Sequence, residues 1–140
     1  MKSRRGFSLL ELLIVVAIIL IIATIAIPNL LRSRQAAHES AAVANLKTLN
    51  AAQITYSSAG GDYGTLADLI AARLVDDTFT GVKAGYKYTI EASGADYTAI
   101  AVPANSNSGR YGYYSVPDAV IRFSTDTALA PPGQAGRAVH

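Results

Sequence analysis

The sequence predicts an α+β fold in which one long N-terminal helix packs on a small antiparallel β-sheet of three to four strands. Three observations support this prediction. The chain opens with an apolar run at residues 9–27, continues with an alanine-rich stretch that lacks proline and glycine, and then changes to short alternating segments rich in tyrosine and threonine. A helical pattern followed by a run of strand patterns is typical of folds whose helices and strands segregate.

The composition excludes several kinds of site. The chain has 140 residues and no cysteine, so disulfides and thiolate metal sites are unavailable. The formal net charge is +2, and it arises largely from Lys2, Arg4 and Arg5, so charge gives no case for nucleic-acid binding. Because the sequence holds no phosphate-binding loop and no credible catalytic set, we expect a protein that is not an enzyme and needs no cofactor or metal.

The apolar run at residues 9–27 can span a membrane. Its only polar residues are Glu11 and Thr24. As a helix the run would be roughly 28 Å long, close to the ~30 Å hydrocarbon core of a bilayer. Glu11 needs a reason, because a carboxylate inside the apolar layer costs on the order of 2.5–3.5 kcal/mol.

Three interpretations of this N-terminal region are open. A secretory signal peptide or a plain membrane anchor explains the basic residues and the apolar run, but neither explains Glu11. The third is a short leader that is cut in front of the run. Arg4-Arg5-Gly6, then Phe7, then Glu11 as the fifth residue after Gly6, resembles the class III signal of type IV prepilins and pseudopilins.

The resemblance implies that residues 1–6 are a leader peptide, cleaved between Gly6 and Phe7 by a membrane peptidase that then methylates the Phe7 amine. It also gives Glu11 a purpose. Cleavage creates a cationic amine at the apolar end of a helix, and a carboxylate one turn away, on the same or a neighbouring chain, can neutralise it. In a low-dielectric environment such a pair is favoured, whereas either charge alone is expensive.

The function implied is that of a structural subunit, major-pilin-like, which forms the helical homopolymer of a type IV pilus. Its precursor would cross the bacterial inner membrane once, and the assembled pilus would be extracellular. The implied partners are copies of itself, prepilin peptidase, an assembly platform and an ATPase, with no nucleic acid for the bulk subunit. Two alternatives remain: a pseudopilin of a type II secretion system, and a minor pilin acting in DNA uptake or adhesion.

Residues 7–28 are expected to form the transmembrane and polymerisation helix, and residues 29–57 its amphipathic continuation. Pro28 either ends the first part or lies within one long helix and loosens its hydrogen bonding; the resemblance favours the second. Beyond Pro28, an apolar stripe recurs at three- and four-residue steps, while polar side chains are placed on the other faces. The stripe contains Ala42, Leu46, Leu49, Gln53 and Tyr56, and the polar set contains Arg32, Arg34, Glu39, Asn45, Lys47 and Asn50.

Residues 58–83 are expected to connect the helix to the sheet. A short helix within them starts at Thr65, a plausible N-cap with Asp68 three residues on. Asp76 and Asp77 are adjacent acids, but calcium needs six to eight oxygen ligands and no loop of suitable spacing is present. A solvated turn is therefore favoured there.

Residues 84–126 are expected to form the antiparallel sheet, and residues 127–140 a flexible tail. Arg110 and the tyrosines at 111, 113 and 114 form a group that could stack on nucleic acid or act as an adhesive patch. Ordinary strand packing, with alternate rings half-buried, is the favoured interpretation. Many pilins close this region with a disulfide, which this chain cannot form, so the sequence leaves open how the last strand is held.

Overall fold

The computed structural model describes residues 6–124 and 136–139. The chain divides into two compact units, Met1–Ser33 and Arg34–His140. Helix α1 (Leu9–Gly60) contributes to both units. The remaining elements lie in the second unit, and they are helix α2 (Leu66–Ala71), a 3₁₀-helix (Asp77–Thr80), and strands β1 (Val82–Lys83), β2 (Tyr86–Ser93), β3 (Asp96–Pro103), β4 (Gly112–Ser115), β5 (Ile121–Ser124) and β6 (Arg137–Ala138).

The six strands form one antiparallel sheet whose spatial order is the chain order, β1 to β6. The α+β class with a long N-terminal helix on an antiparallel sheet is therefore confirmed. The expected number of three to four strands is wrong. The four expected strands correspond to β2–β5, whereas β1 and β6 are two-residue strands at the two edges of the sheet.

The core of the Arg34–His140 unit lies between α1 and the sheet. The apolar stripe on α1 is buried as expected, with Ala42, Leu46 and Leu49 fully inaccessible to solvent. They face the inward side chains of the sheet, where β2 alternates strictly between buried and exposed positions over its first six residues. Because side chains alternate across a strand, this pattern turns every second residue of β2 toward the helix, and these residues are Tyr86, Tyr88 and Ile90.

Two polar residues of α1 were expected on its outer faces, but they are buried. Glu39 is 7% exposed and Asn50 is 4% exposed. Periodicity cannot identify this outcome, because each side chain is buried against a polar partner that is distant along the chain. Arg110 holds Glu39, and Ser115 with Tyr97 holds Asn50. A buried polar group that is hydrogen-bonded avoids most of its desolvation cost.

The connection from α1 to the sheet is organised by side chains that cap helices. Thr65 is the N-cap of α2 and forms a capping box with Asp68, as the sequence predicts. Asp76 caps the 3₁₀-helix by accepting a hydrogen bond from the Thr78 amide at 3.0 Å. The side-chain amide of Gln53 bonds both backbone groups of Gly64, which joins this connection to α1.

The C-terminal end of the described chain is held by backbone pairing. Strand β6, which falls inside the segment expected to be a flexible tail, pairs with β5 through residues 122 and 123. The Val139 amide donates to the Ile121 carbonyl at 2.8 Å, and the Gly136 amide donates to the Tyr114 hydroxyl at 3.0 Å. Residues 125–135, which belong partly to the expected tail, lie outside the described residues.

Candidate functional site

The part of α1 in the Met1–Ser33 unit has an exposed apolar surface. Each large apolar side chain of residues 9–31 keeps 45–84% of its surface exposed. An 18-residue window of α1 near the N-terminus has a mean hydropathy of 3.1, and the helix is long and apolar enough to cross a membrane. Burying one such side chain is worth roughly 1.5–3 kcal/mol, so a surface of this kind requires a bilayer or other helices around it.

The expected cleavage site precedes this helix. Gly6 and Phe7 lie outside α1, which begins at Leu9, and Phe7 is 80% exposed. A Cβ at Gly6 would meet no atom within 4 Å, so the peptide bond between Gly6 and Phe7 is not shielded by the described part of the chain.

Glu11 lies in the first turn of α1 and contacts the chain in front of it. Its Oε2 accepts a hydrogen bond from the Ser8 amide at 2.8 Å, and the Ser8 hydroxyl accepts one from the Leu10 amide at 3.2 Å. The side chains of Ser8 and Glu11 therefore cap the start of α1, because they accept hydrogen bonds from two backbone amides that have no partner within the helix. The prediction for Glu11 rests on its charge alone. The Ser-x-x-Glu spacing is the sequence signal that could have identified its hydrogen bond to the Ser8 amide.

Pro28 lies inside α1, so the helix does not end there. Proline lacks an amide hydrogen and leaves the carbonyl four residues before it without its usual donor. Two polar side chains bond to backbone carbonyls in this region: the Thr24 hydroxyl donates to the Ile21 carbonyl at 2.7 Å, and the Asn29 side-chain amide donates to the Ile25 carbonyl at 3.1 Å. Both bonds go to carbonyls other than that of Thr24, the residue four positions before Pro28.

The Arg110 side chain forms an ion pair with Glu39 of α1. Its Nε and Nη2 donate to the two oxygens of Glu39 at 3.1 and 2.9 Å, and its backbone amide donates to Glu39 at 2.8 Å. Burial raises the pKa of Glu39, but the hydrogen bonds from Arg110 and its positive charge outweigh burial and hold that pKa below its ordinary value. The guanidinium also lies over the Tyr111 ring at 5.2 Å.

Two of the three tyrosines that follow Arg110, Tyr113 and Tyr114, are buried. Tyr113 is 6% exposed and Tyr114 is fully buried, so neither ring presents a free face to a base. Tyr113 packs against the rings of Tyr86 and Phe123. The favoured interpretation, ordinary strand packing, agrees with these contacts.

The loop before Arg110 is fastened to α1 by two further side chains. Gln35 donates to the Ser106 carbonyl at 3.2 Å, and Nδ1 of His38 lies 3.0 Å from the Ser108 carbonyl. With Glu39 they occupy one face of the helix, because residues three and four apart are neighbours there. The His38 ring therefore contributes to the attachment of this loop to α1.

An open groove of about 520 Å³ is lined by residues of α1 and of the connection to the sheet, including Asp76, Asp77 and Lys83. Lys83 pairs with Asp76 at 3.1 Å and lies over the Phe79 ring. In the part of the chain that the structure describes, no three histidine or acidic residues cluster as a metal site would require.

Comparisons with known proteins agree with this geometry. Residues 1–27 match the family model described as the prokaryotic N-terminal methylation motif. The chain is 36% identical to the type IV major pilin protein PilA of Myxococcus xanthus over 94% of its own length. That match spans 61% of the Myxococcus protein.

Two other relatives match over most of their length. The chain is 30% identical to the type IV wide pilus major component PilA4 of Thermus thermophilus, over 92% of this chain and 93% of that protein. It is 29% identical to the type II secretion system core protein G of Escherichia coli, over 81% and 79% respectively. No solved structure gives a significant match.

Proposed function

Because the chain belongs to the type IV pilin family, we propose that it is a major structural subunit of a type IV pilus. It polymerises into a helical filament through the apolar part of α1. The observation that carries the proposal is the exposed apolar surface of residues 9–31, which directly follows a processing motif. Its role is structural rather than enzymatic.

Processing is proposed to occur at the exposed peptide bond between Gly6 and Phe7. Removal of residues 1–6 takes away Lys2, Arg4 and Arg5, the cations in front of the apolar run. By the positive-inside rule these cations hold that end of the helix on the cytoplasmic side. The mature chain then starts at Phe7, whose amine is methylated.

Glu11 is proposed to pair with the Phe7 amine of a neighbouring subunit. A bundle of helices that excludes water makes an unpaired amine or carboxylate costly, whereas the pair is favoured. A subunit without this carboxylate would bring an uncompensated positive charge into the bundle. Glu11 thereby selects correctly processed and correctly positioned subunits.

Pro28 is proposed to let the helix loosen on assembly. The backbone upstream of Pro28 already lacks one helical hydrogen bond. Thr24 and Asn29 offer alternative donors to nearby carbonyls. A local loss of regular helix there costs less than it would elsewhere in α1.

The precursor is proposed to reside in the bacterial inner membrane with a single span, and the filament to be extracellular. The length and hydropathy of α1 support the span. Prepilin peptidase, an assembly platform and an ATPase are the proposed partners, since a chain of this kind carries no machinery for its own processing or export.

A type II secretion pseudopilin is the second candidate, and the similarity to the Escherichia coli core protein G supports it. The two roles differ in where the polymer is found. Electron microscopy of sheared surface material, with mass spectrometry of its main protein, separates them. Long fibres composed of this chain support the pilus; absence of the chain from surface fibres, together with a secretion defect on deletion, supports the pseudopilin.

Two measurements test the proposal itself. Mass spectrometry of the mature protein is expected to find N-methylated Phe7 at its terminus, and any other terminus would refute the processing site. The substitution Glu11→Ala is expected to leave cleavage intact but to reduce incorporation into filaments. Glu91→Ala, which changes an exposed carboxylate on β2, is the matched control.

A further inference from the structure

We infer that the Arg34–His140 unit binds a second copy of this chain end to end, so that the basic end of one unit meets the acidic end of the next. The inference rests on the proposed function, because it concerns how subunits of one filament contact each other outside the apolar helix. The observations that carry it are the positions of exposed charges in this unit and the complementarity of its two ends.

The acidic end lies just beyond the C-terminus of α1, and its charged side chains are those of Asp62 and Asp96. Both are exposed, and each directly precedes a tyrosine. The rings of Tyr63 and Tyr97 are in edge contact with centroids 4.7 Å apart, and the Tyr63 amide donates to the Gly94 carbonyl at 2.9 Å. These contacts bring two negative charges to the same end of the unit.

The basic end lies beside the loop that is fastened to α1, and its charged side chains are those of Arg34, Arg110 and Arg137. The Arg110 guanidinium lies over the Tyr111 ring at 5.2 Å, and that of Arg137 lies over the Phe123 ring at 5.8 Å. The two rings contact each other with centroids 5.1 Å apart. Arg34 immediately precedes the residue of α1 that is hydrogen-bonded to the loop.

Helix α1 separates the two ends. Glu39, which binds Arg110, marks the basic end, and Gly60, where α1 ends, lies two positions before Asp62. At about 1.5 Å per residue these two points are roughly 30 Å apart along the helix. The unit therefore has positive charge at one end and negative charge at the other.

Ion pairing within the unit leaves charge uncompensated at both ends. Among residues 34–124 and 136–139, the ion pairs are Lys83 with Asp76, Arg110 with Glu39, and Arg122 with Asp118. The exposed end charges of this described part that take no part in these pairs are Asp62, Asp96, Arg34 and Arg137.

This distribution favours contact between unlike ends. Contact between two like ends would place equal charges against each other, which is unfavourable. A contact between unlike ends uses two different surfaces, so it repeats without limit unless the rotation closes a ring. It therefore produces an open polymer in which every subunit points the same way. Aromatic and arginine side chains, which form the basic end, are also enriched in protein interfaces.

Charge reversal in the full chain tests the contact. Reversal of the basic end (Arg34→Glu with Arg137→Glu) or of the acidic end (Asp62→Lys with Asp96→Lys) is expected to lower filament yield roughly tenfold, because like charges then meet. Both reversals in one chain make the ends complementary again and are expected to restore most of the yield. Immunoblots for the processed subunit check that each variant accumulates.

The matched controls are Lys87→Glu and Glu91→Lys. They reverse charges of the same sign at exposed positions on the outer face of β2, away from the aromatic pairs of the two ends. Filament yield is expected to stay unchanged in both.

Cross-linking reports the contact directly, because the chain has no cysteine of its own. Asn107→Cys places a thiol in the loop of the basic end, and Ala95→Cys places one beside Asp96; both positions are exposed. After treatment with a short bis-maleimide, sheared filaments of the double variant are expected to give a ladder of multimers. Each single variant is expected to give monomer only, because like ends do not meet.

The inference is overturned if reversal of one end leaves filament yield unchanged, if a single-cysteine variant forms dimers, or if the double variant gives no ladder. It is also overturned if reversal of the acidic end does not rescue reversal of the basic end. The basic end would then bind a different partner, such as an anionic membrane surface. The proposed function fails on another result, the absence of the unaltered chain from surface fibres.

Discussion

Replacement of Asn50 by leucine removes the buried polar junction between α1 and the sheet. The Asn50 side chain donates to the Ser115 hydroxyl at 2.8 Å and accepts from the Tyr97 hydroxyl at 3.0 Å. It is 4% exposed, and Tyr97 and Ser115 are also buried. Leucine has a similar size and shape but neither donor nor acceptor, so the change is chemical rather than one of volume.

The expected loss in the free energy of unfolding is about 2–4 kcal/mol. Each hydrogen bond contributes about 0.5–1.5 kcal/mol net, and a buried group left without a partner costs about 1–3 kcal/mol. The Tyr97 hydroxyl would be left in that position. Replacing both partners, as in Asn50→Leu with Tyr97→Phe, is expected to recover part of the loss, because neither side then carries an unsatisfied group.

Urea unfolding of the mature chain in mild detergent measures the change in the free energy of unfolding. The signal is the near-ultraviolet circular dichroism of the buried tyrosines. Thr48→Val is the matched control on the same helix. The Thr48 hydroxyl also donates a hydrogen bond, to the Ala44 carbonyl at 3.2 Å, but Thr48 is exposed, so water can replace the lost bond. We expect the control to change stability by less than about 1 kcal/mol.

Equal effects from the Asn50 and Thr48 substitutions would refute the reasoning, because burial would then not decide the cost. A double variant that is less stable than Asn50→Leu by the full cost of Tyr97→Phe would also refute it. In that case the two side chains would contribute independently, without the coupling that their hydrogen bond requires.

Three further predictions concern the same unit. Gly109→Ala is expected to lower the free energy of unfolding by about 1–3 kcal/mol in urea titrations, because a Cβ there would overlap the buried ring of Tyr86. Gly81→Ala has open space around its Cβ and is expected to change stability by no more than about 0.5 kcal/mol, so equal losses in the two variants would contradict the prediction. Glu39→Gln is expected to cost about 1–2 kcal/mol and to speed exchange of the Arg110 amide, since a neutral amide is a weaker acceptor; unchanged exchange would count against the ion pair as the fastening of that loop. Burial raises the pKa of Tyr97 from its ordinary 10.0 to about 12, so its contribution to stability is fully present below pH 10 and is lost as the pH rises toward 12. The free energy of unfolding, measured over a pH series, should show this loss and a smaller one in Tyr97→Phe; a loss of equal size in that variant would refute the role of Tyr97.

The helices could largely be predicted from the sequence, because their signals are local. Three- and four-residue steps identified the buried stripe of α1, and Thr65 with Asp68 identified the start of α2. Glu39 and Asn50 were misplaced because their partners lie 71 and 65 residues away along the chain. No helical period carries information about a contact at that separation.

The sheet edges could not be predicted for a related reason. Strands β1 and β6 have two residues each, too few for any alternation to be visible. Strand β6 also follows a stretch rich in proline and glycine, which by composition favours a loop. Its position is set by pairing with β5, and therefore by tertiary structure alone.

The candidate site was predictable in part because its motif is contiguous. The sequence predicted Gly6, Phe7, Glu11 and Pro28 as the functional positions, and the structure places them before and within one exposed apolar helix. The contribution of Ser8 was missed, although a serine three residues before a glutamate at a helix start is a recognisable pattern. The prediction for Glu11 rested on its charge and did not include its hydrogen bond to the Ser8 amide.

The position of β6 has a consequence for how this protein stays separate from its copies before assembly. An edge strand with free amides and carbonyls is a template for another chain, and hence for aggregation. Residues 136–139 cover that edge of β5. A chain without them would expose the four-residue strand β5, whereas β6 reduces this edge of the sheet to a strand of two residues, and a very short edge strand is a poor template for another chain.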